Sequence, residues 1–501
     1  MSKDKYFSLL IIIGLLFSIF TIFMVSKVKY LGNSEDAGYV LIGKSISEGI
    51  GLTSRTVLFY FDRYAQVTHP DDTAPPLYPI ILAVLFRFFG INVVLAKSIP
   101  ILFSCLLLPV FIYLLARKIT NSNIAFLSAL IVMFSPISYA NSTHTEVEAM
   151  FASFVVLALY MFIKGMEKPI FYLWMGGFCG LAFLTKYTGI VLFASLIISY
   201  ILLYFLKKVK FTNYFIFGIL IGMVVISPLL VRNYVLFGKP MYSVNEKVGV
   251  LNDNFISKTF YWDEKLPSFI EYFLTKGMWD FELLAMRTIR MGIILLPLHL
   301  CALFGFYFLG TKKIIPLIVY YLIFCLFHII AVAAFYDYFI SIISLAIIPS
   351  VYFLVTIVPK GLKLNKKYFE KAAYFFIFIL FVFTASKFFI NVNIQNLRIG
   401  ERGFPFADTI ATDSIMNAGI WAKENLAPDN IVMVKKPRGF TFYSDLPSIY
   451  LVPDSMEKVF EIAKYYKANY IQCDALDREE FSLIYKNERF SLCTINWDKV
   501  K

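Results

Sequence analysis

The sequence predicts a polytopic helical membrane protein with a small α/β domain at its C-terminal end. Three observations carry this. The 501 residues are 59% hydrophobic and only 16% charged, with 53 Phe and 32 Tyr, a surface no water-soluble domain needs. Several apolar runs reach or pass the ~18 residues that mark a bilayer span. These runs are continuous, whereas the lipid face of a β-barrel alternates with a polar lumen, so a barrel is disfavoured. The formal net charge of +13 comes from Lys and Arg scattered in short groups between apolar blocks. That is the pattern of topology-setting loops, and it argues against nucleic acid as a partner.

Taken in order, the chain opens with a basic head, MSKDK, and an apolar run of about twenty residues. This is long for a signal-peptide core, and it reads as a retained first helix. Eleven spans follow from the apolar blocks: 6–26, 95–116, 123–140, 147–163, 170–185, 188–206, 213–231, 288–309, 314–335, 339–358 and 369–390. Lys3, Lys5, Arg117, Lys118, Lys164, Lys168, Lys207, Lys208, Lys210, Lys312, Lys313, Lys360, Lys363, Lys366 and Lys367 then fall on one side. The positive-inside rule makes that side cytoplasmic. The first loop (29–94), the loop at 232–287 and the tail after 391 are expected outside, in a cell membrane. The division is a membrane domain over 1–391 and an extracytoplasmic α/β domain over 392–501.

The loop at 29–94 holds the sharpest chemistry. Asn33 or Ser34 can cap a helix whose apolar positions Tyr39, Ile42 and Ile46 are spaced three and four apart, with Gly49 and Gly51 as the stop. One apolar stripe predicts a helix lying on the membrane surface. Glu35 and Asp36 sit in its first turn, where the helix dipole favours ionised carboxylates. Such a carboxylate could deprotonate an acceptor or bind a divalent metal; ordinary capping is the bland alternative. Leu77 to Phe89, after the Pro75-Pro76 turn, is about 20 Å long as a helix, too short to span, and reads as interfacial or re-entrant.

Further polar candidates gather at the same outer ends. His144, Glu146 and Glu148 open the fourth span and could complete a metal or acceptor site, or merely cap a helix. Lys186 ends a short span and could hold a lipid phosphate, with snorkelling the alternative. Arg232-Asn233 ends the seventh span, where a planar guanidinium suits phosphate contact. Asp337, between two tyrosines, has no evident cation in sequence. His69 with Asp71-Asp72 could bind metal, but a solvated loop is the expected reading; His299 and His328, inside spans, read as core residues.

Beyond about residue 400 the charge rises. Strand-like runs (431–434, 470–473, 490–495) alternate with helical ones (415–425, 456–467), punctuated by Pro428, Pro437, Gly439, Pro447 and Pro453. Cys105, Cys179, Cys301 and Cys325 lie in apolar runs as core thiols. Cys473 and Cys493 fall in neighbouring strands, where a disulfide fits but free thiols are the expectation. No internal repeat is evident, which weakens a secondary-transporter reading.

These pieces in this order resemble the GT-C fold glycosyltransferases, in particular protein O-mannosyltransferases and the lipid A aminoarabinose transferase. The matching features are the acidic pair before Tyr39 and a Gly-ended helix, the Ala74-Pro75-Pro76-Leu77-Tyr78-Pro79 turn, and Phe88-Phe89-Gly90. Leu115 to Lys118, Ser135-Pro136, Gly180 to Lys186, and Pro228 with Arg232-Asn233, Gly238 and Pro240 continue the pattern over residues 1–390. The resemblance implies a sugar carried on a polyprenyl phosphate and transferred with inversion, on the outer face, to a glycan, lipid or protein acceptor. By position, Asp36 or Glu35 would supply the base, with Glu146 or Glu148 as a second acid. Tyr39, Pro76, Tyr78, Lys186, Arg232, Asn233 and Asp337 would line the substrate site; a divalent metal, if used, would sit among Asp36, Glu148, His144 and His69. This chain reads Glu-Asp where the family more often reads Asp-Glu. The WWDYG motif of oligosaccharyltransferases is absent, Met278-Trp279-Asp280-Phe281 being unlike it, so en bloc N-glycosylation is not expected.

Overall fold

The computed structural model describes residues 4–27, 31, 34–58, 66–143, 145–242, 296–331, 339–397, 409–451, 455–473 and 478–500. Each of the eleven predicted apolar blocks contains a helix. In chain order these are α1 (Lys5–Val25), α2 (Ser34–Ser47), α3 (Leu77–Phe89), α4 (Val93–Leu102), α5 (Leu108–Ile119), α6 (Ser122–Met133), α7 (Pro136–Thr143), α8 (Glu148–Gly165), α9 (Phe171–Thr185), α10 (Gly189–Phe205) and α11 (Asn213–Phe237). There follow α12 (Leu296–Leu309), α13 (Ile315–Ala331), α14 (Ile340–Tyr352), α15 (Val358–Gly361) and α16 (Lys366–Leu397). Among the described residues six spans are long and apolar enough to cross a membrane, or seven if the pair α6 and α7, bent by 52°, is one span; α3, α9, α10 and α12 are shorter apolar helices. The bend falls at Ser135-Pro136, where a proline removes a helix donor. Single-turn π-helices, Phe103–Leu107 and Phe353–Ile357, link α4 to α5 and α14 to α15.

Close helix contact is bought with glycine. A Cβ on Gly176 of α9 would stand 1.6 Å from the Gly218 carbonyl oxygen of α11, and one on Gly222 would stand 2.8 Å from the Gly176 oxygen. This is the small-residue seam that lets helices approach backbone to backbone where lipid supplies no hydrophobic drive. At one end of the bundle the predicted basic loops do meet. Asp4 pairs with Arg117, Glu167 pairs with both Lys118 and Lys313 at 2.8 Å, and Lys312 donates to the Lys208 carbonyl at 3.1 Å.

The elements of the first long loop pack more deeply than the sequence predicts. Gly49 and Gly51 do end α2, with φ of +82° and +94°. Yet α2 does not lie on a surface: Ala37, Val40, Leu41, Ile42, Lys44 and Ser45 are all buried. Helix α3 covers one side, with Gly43 against Leu82, and the C-terminal domain covers another. The single-stripe reading fails because the small residues Ala37, Gly38 and Gly43 let a second element approach a face that looks polar in sequence.

The C-terminal domain contains α17 (Thr409–Asn425), β4 (Val432–Val434), α18 (Pro437–Ser444), β5 (Ser448–Tyr450), α19 (Met456–Tyr465), β6 (Tyr470–Gln472), β7 (Phe481–Lys486) and β8 (Ser491–Ile495). Its six-stranded sheet runs β2-β5-β4-β6-β8-β7, where β2 is Thr56–Val57 of the first loop. The strands β2, β5, β4 and β6 are parallel, and β8 and β7 are antiparallel to their neighbours. Side chains alternate as a strand requires: Met433 enters the core under α19, while Val432 and Val434 enter the core with α17 and α18. Cys473 and Cys493 form a disulfide, not free thiols. The physical reason is register: β6 and β8 are adjacent, Ile471 pairs with Cys493, and the two Cα atoms are 5.9 Å apart, within bridging range.

Candidate active site

The site forms where α2 and α3, the N-terminus of α8, the α9–α10 junction and the end of α11 converge. Helix α2 starts at Ser34, so its first turn holds Glu35 and Asp36, as the sequence predicts; of their side chains nothing is described. Three elements fix this helix to the bundle through one apolar cluster, in which Ala37 and Val40 of α2 meet Tyr78 and Leu82 of α3, Ala96 of α4, and Val147 and Met150 at the start of α8. Tyr39 packs edge-on to Tyr78 at 5.7 Å, and the Tyr78 hydroxyl donates to the Ala96 carbonyl at 3.0 Å. Tyr78 is wholly buried and Pro76 forms the buried N-cap of α3. Both therefore hold α2 in place and do not present a polar surface.

Beside this cluster, Lys186 and Glu148 form a 2.7 Å ion pair, with side-chain exposures of 20% and 6%. Glu148 is the first residue of α8, and Lys186 caps the C-terminus of α9, so each charge sits at the helix end whose dipole suits the other ion worse. Glu148 is at a favourable N-terminus and Lys186 at a favourable C-terminus, which stabilises the pair where it stands. The second Glu148 oxygen, Oε2, is buried without a hydrogen-bond partner among the described residues. Glu146, two residues earlier, is half-buried, and Thr145, just before it, is buried.

The Arg232 guanidinium works on the backbone. One nitrogen donates to the carbonyls of Leu52 at 3.2 Å and Asp71 at 2.7 Å, and the other to the Asn233 side-chain oxygen at 3.1 Å. Asn233 in turn reaches the Tyr187 hydroxyl at 3.4 Å, and that hydroxyl donates to the Tyr242 carbonyl at 3.2 Å. Burial pushes the Tyr187 phenol up to about 12, against the Asn233 hydrogen bond and with help from the neighbouring Asp71 and Asp72 carboxylates. It is a neutral hydroxyl at any physiological pH.

Asp71 and Asp72 correct the sequence reading of a solvated loop: their exposures are 2% and 5%. The cause is the staple just described. Arg232 draws the Leu52 and Asp71 carbonyls together, Asp71 N–H bonds to Leu52, and β1 (Thr53–Ser54) pairs antiparallel with β3 (His69–Pro70), folding the loop under itself. Thr73 donates to Asp71 Oδ1 at 2.7 Å, while Asp71 Oδ2 has no hydrogen-bond partner among the described residues. Lys97 of α4, beside Ala96, is another buried ion that sequence reading passed over. Its signal was a lone charge early in an apolar span, which the usual allowance for snorkelling hides.

Asp337, His144 and the 278–281 segment lie outside the described residues. His69 is half-buried in β3, its Nδ1 3.0 Å from the Val67 carbonyl. Among the described residues no group of three or more His, Cys, Asp or Glu side chains comes together as a metal site. The buried His328 stacks on Phe324 at 4.0 Å and bonds its carbonyl through Nδ1, and His299 contacts the Tyr321 hydroxyl, both as core residues.

The geometry can be set beside known proteins. Residues 73–231 match the family described as dolichyl-phosphate-mannose-protein mannosyltransferase. Over 98% of both chains, the fold superposes on ArnT from Cupriavidus metallidurans bound to undecaprenyl phosphate, with a TM-score of 0.60 at 13% identity. This is the GT-C glycosyltransferase fold. The GT-C oligosaccharyltransferase AglB from Archaeoglobus fulgidus, in complex with an inhibitory peptide and a dolichol-phosphate, matches at a TM-score of 0.59 and 12% identity, over 92% of this chain and 69% of that one. A 149-residue stretch is 35% identical to an uncharacterised protein of Aquifex aeolicus (strain VF5); the match spans 28% of this chain and 29% of that relative's length. The mannosyltransferase-like segment runs from the loop after β3 into α11, and so contains Glu148 and Lys186 but not α2, and it stops one residue short of Arg232.

Proposed function

We propose that this GT-C chain transfers a sugar from a polyprenyl-phosphate-linked donor to an acceptor on the extracytoplasmic face, with inversion. The observation that carries this is the coincidence of two matches. The mannosyltransferase family covers 73–231, which contains the Lys186–Glu148 ion pair, in a fold shared with a protein bound to undecaprenyl phosphate. In the reaction, the acceptor oxygen or nitrogen forms a bond to the anomeric carbon, the bond from that carbon to the phosphate oxygen breaks, and polyprenyl phosphate leaves. The leaving group needs little help, so the protein has two tasks: to remove the acceptor proton and to meet charge as it develops.

Asp36, in the first turn of α2, takes the proton; Glu35 is the adjacent alternative. Lys186 meets the departing phosphate. Its ammonium is a compact point charge already held at the helix end by Glu148, which thereby serves as its counter-ion and not as a second base. Arg232, expected to face phosphate, instead folds the loop that carries Asp71 and Asp72 against the site. By the positive-inside rule the basic loops joined through Glu167 are taken as the cytoplasmic end, and on that reading α2 and the C-terminal domain lie outside. A transporter or flippase would need ionisable groups at mid-span and related halves; here Glu148, Lys186 and Arg232 all lie at or near helix ends.

The test is transfer of radiolabelled sugar from synthetic polyprenyl-phosphate donors by the purified full chain, beside Asp36→Asn, each with and without chelator. Turnover by the wild type and its loss in the variant support the reading, and sensitivity to chelator separates a metal-holding from a proton-accepting Asp36. Retained transfer by Asp36→Asn removes the base. Donor-lipid flux across vesicles without turnover replaces the enzyme by a transporter.

A further inference from the structure

Helix α2 carries the acidic turn at one end and Lys44 at the other. Lys44 is 5% exposed, donates to the Phe442 carbonyl at 3.2 Å and forms an ion pair with Asp445. Asp445 caps the C-terminus of α18 in the left-handed region, at φ +61°, a conformation that, glycine aside, Asp and Asn adopt more readily than most residues. The same residue accepts from Arg55, just before β2, through its backbone carbonyl. At the other end of α2, the Tyr443 hydroxyl accepts the Leu31 amide at 3.0 Å. Between these, the Arg438 guanidinium lies 3.1 Å from where a Cβ on Gly38 would stand, two residues past Asp36. One eight-residue helix of the C-terminal domain thus touches the chain before α2, along it, at its end and beyond it.

We propose that α18 is a clamp that sets the position of the acidic turn, and that Lys44 and Asp445 are positioning residues for transfer. The proposal rests on the reading of α2 as the helix bearing the base. Its physical content is that a buried ammonium has no water to fall back on, so Lys44 can hold one place only while a carboxylate meets it. A 14-residue helix is about 21 Å long. A tilt of a few degrees at the Lys44 end moves the first turn by about 1 Å, a displacement that can cost about 10²-fold in rate.

The carboxylate supplies its own control. Lys423 of α17 meets the other Asp445 oxygen at 2.6 Å, but it belongs to the same domain and its side chain is 57% exposed. If Asp445 served only to stabilise its own domain, losing either lysine would look alike. The experiment compares Lys44→Met, Lys44→Arg, Asp445→Asn and Lys423→Met in the full chain. Two readouts are hydrogen exchange of the α2 amides and steady-state transfer at varied donor concentration. The expected result is faster exchange over residues 37–47 and a fall in kcat of about 10- to 100-fold in Lys44→Met and Asp445→Asn, with donor KM within twofold. Lys44→Arg recovers most of both, and Lys423→Met stays within twofold of wild type. Unchanged α2 exchange in Lys44→Met overturns the clamp even if no sugar donor is ever turned over. Faster exchange with unchanged kcat overturns the positioning role and leaves transfer itself standing.

Discussion

Replacing Lys186 and Glu148 singly and together discriminates a phosphate-binding cation with its counter-ion from a pair of independent catalytic groups. The two charges are 2.7 Å apart, with 20% and 6% of their side chains exposed. At an effective dielectric of about 20 their attraction is about 4–6 kcal/mol, most of which is offset by stripping both ions of water. The pair therefore matters chiefly when it is broken. Lys186→Met strands a carboxylate whose Oε2 already lacks a hydrogen bond, at a cost of about 3–5 kcal/mol. Glu148→Gln strands an ammonium that still reaches some water, so screening reduces its cost to about 1–3 kcal/mol. The double variant should cost less than the sum by about 1–3 kcal/mol.

Chemical unfolding of the four proteins in mixed micelles measures these costs. Additivity within about 0.5 kcal/mol would refute the coupling. Kinetics supply the second arm. If Lys186 holds the donor phosphate, Lys186→Met raises donor KM, and Glu148→Gln shifts KM modestly because it frees a misplaced cation. If Glu148 is itself the base, Glu148→Gln instead lowers kcat by about 10²–10⁴-fold with little change in KM, and the assignment of Asp36 falls.

Three further predictions follow from separate parts of the molecule. Gly176→Ala should destabilise by at least about 1–3 kcal/mol, because its Cβ would stand 1.6 Å from the Gly218 oxygen, whereas Gly177→Ala meets nothing within 4 Å and should be neutral to unfolding; equal effects would deny the α9–α11 seam. Arg232→Lys removes the planar group that serves the Leu52 and Asp71 carbonyls through one nitrogen and the Asn233 oxygen through the other, costs about 1–3 kcal/mol, and should expose the 66–73 segment to proteolysis; resistance equal to wild type counts against the staple. Hydrogen bonds from Lys118 and Lys313 hold the Glu167 carboxyl down to about 2, against an ordinary 4.5. Being depressed, it contributes stability that is fully present above about pH 4.5 and fades as pH falls toward 2, so Glu167→Gln should lower the unfolding midpoint above about pH 4.5, flatten the acid limb, and converge with wild type as pH falls toward 2.

What the sequence reveals follows the range of the forces involved. Apolar runs of bilayer length, the Pro75-Pro76 start of α3 and the Gly49 and Gly51 stop of α2 are local, and each appears where residue pattern places it. The pairing of Lys186 with Glu148 was half legible: two unlike charges at the ends of apolar segments, with nothing local to say that they meet. The partners of β2 were not legible at all. Two residues, Thr56 and Val57, pair in parallel with Ser448 and Ile449, and no periodicity can be read from a strand so short. Helix α18 hides for the opposite reason, since Pro437 and Gly439 punctuate it like a turn although Pro is well suited to a first helical position. The burial of Asp71 and Asp72 depends on an arginine about 160 residues away, so composition alone reads them as solvated.

These non-local contacts share a direction. The first outer loop is fixed from three sides by residues that do not belong to it: the clamp of α18 on α2, the pairing of β2 with β5, and the Arg232 staple on Leu52 and Asp71. A membrane bundle alone could bind a lipid phosphate at Lys186, because that site is made from α8 and α9. It could not by itself hold the acidic turn, whose helix is buried by the C-terminal domain as well as by α3. On the proposed reading, the donor-facing half and the acceptor-facing half of the site are thus stabilised by different parts of the chain. A lesion in the C-terminal domain should therefore appear in the rate of transfer before it appears in donor affinity, while a lesion in α9 or α11 should do the reverse. That ordering is the expected consequence of building one edge of the six-stranded sheet from the loop proposed to carry the base.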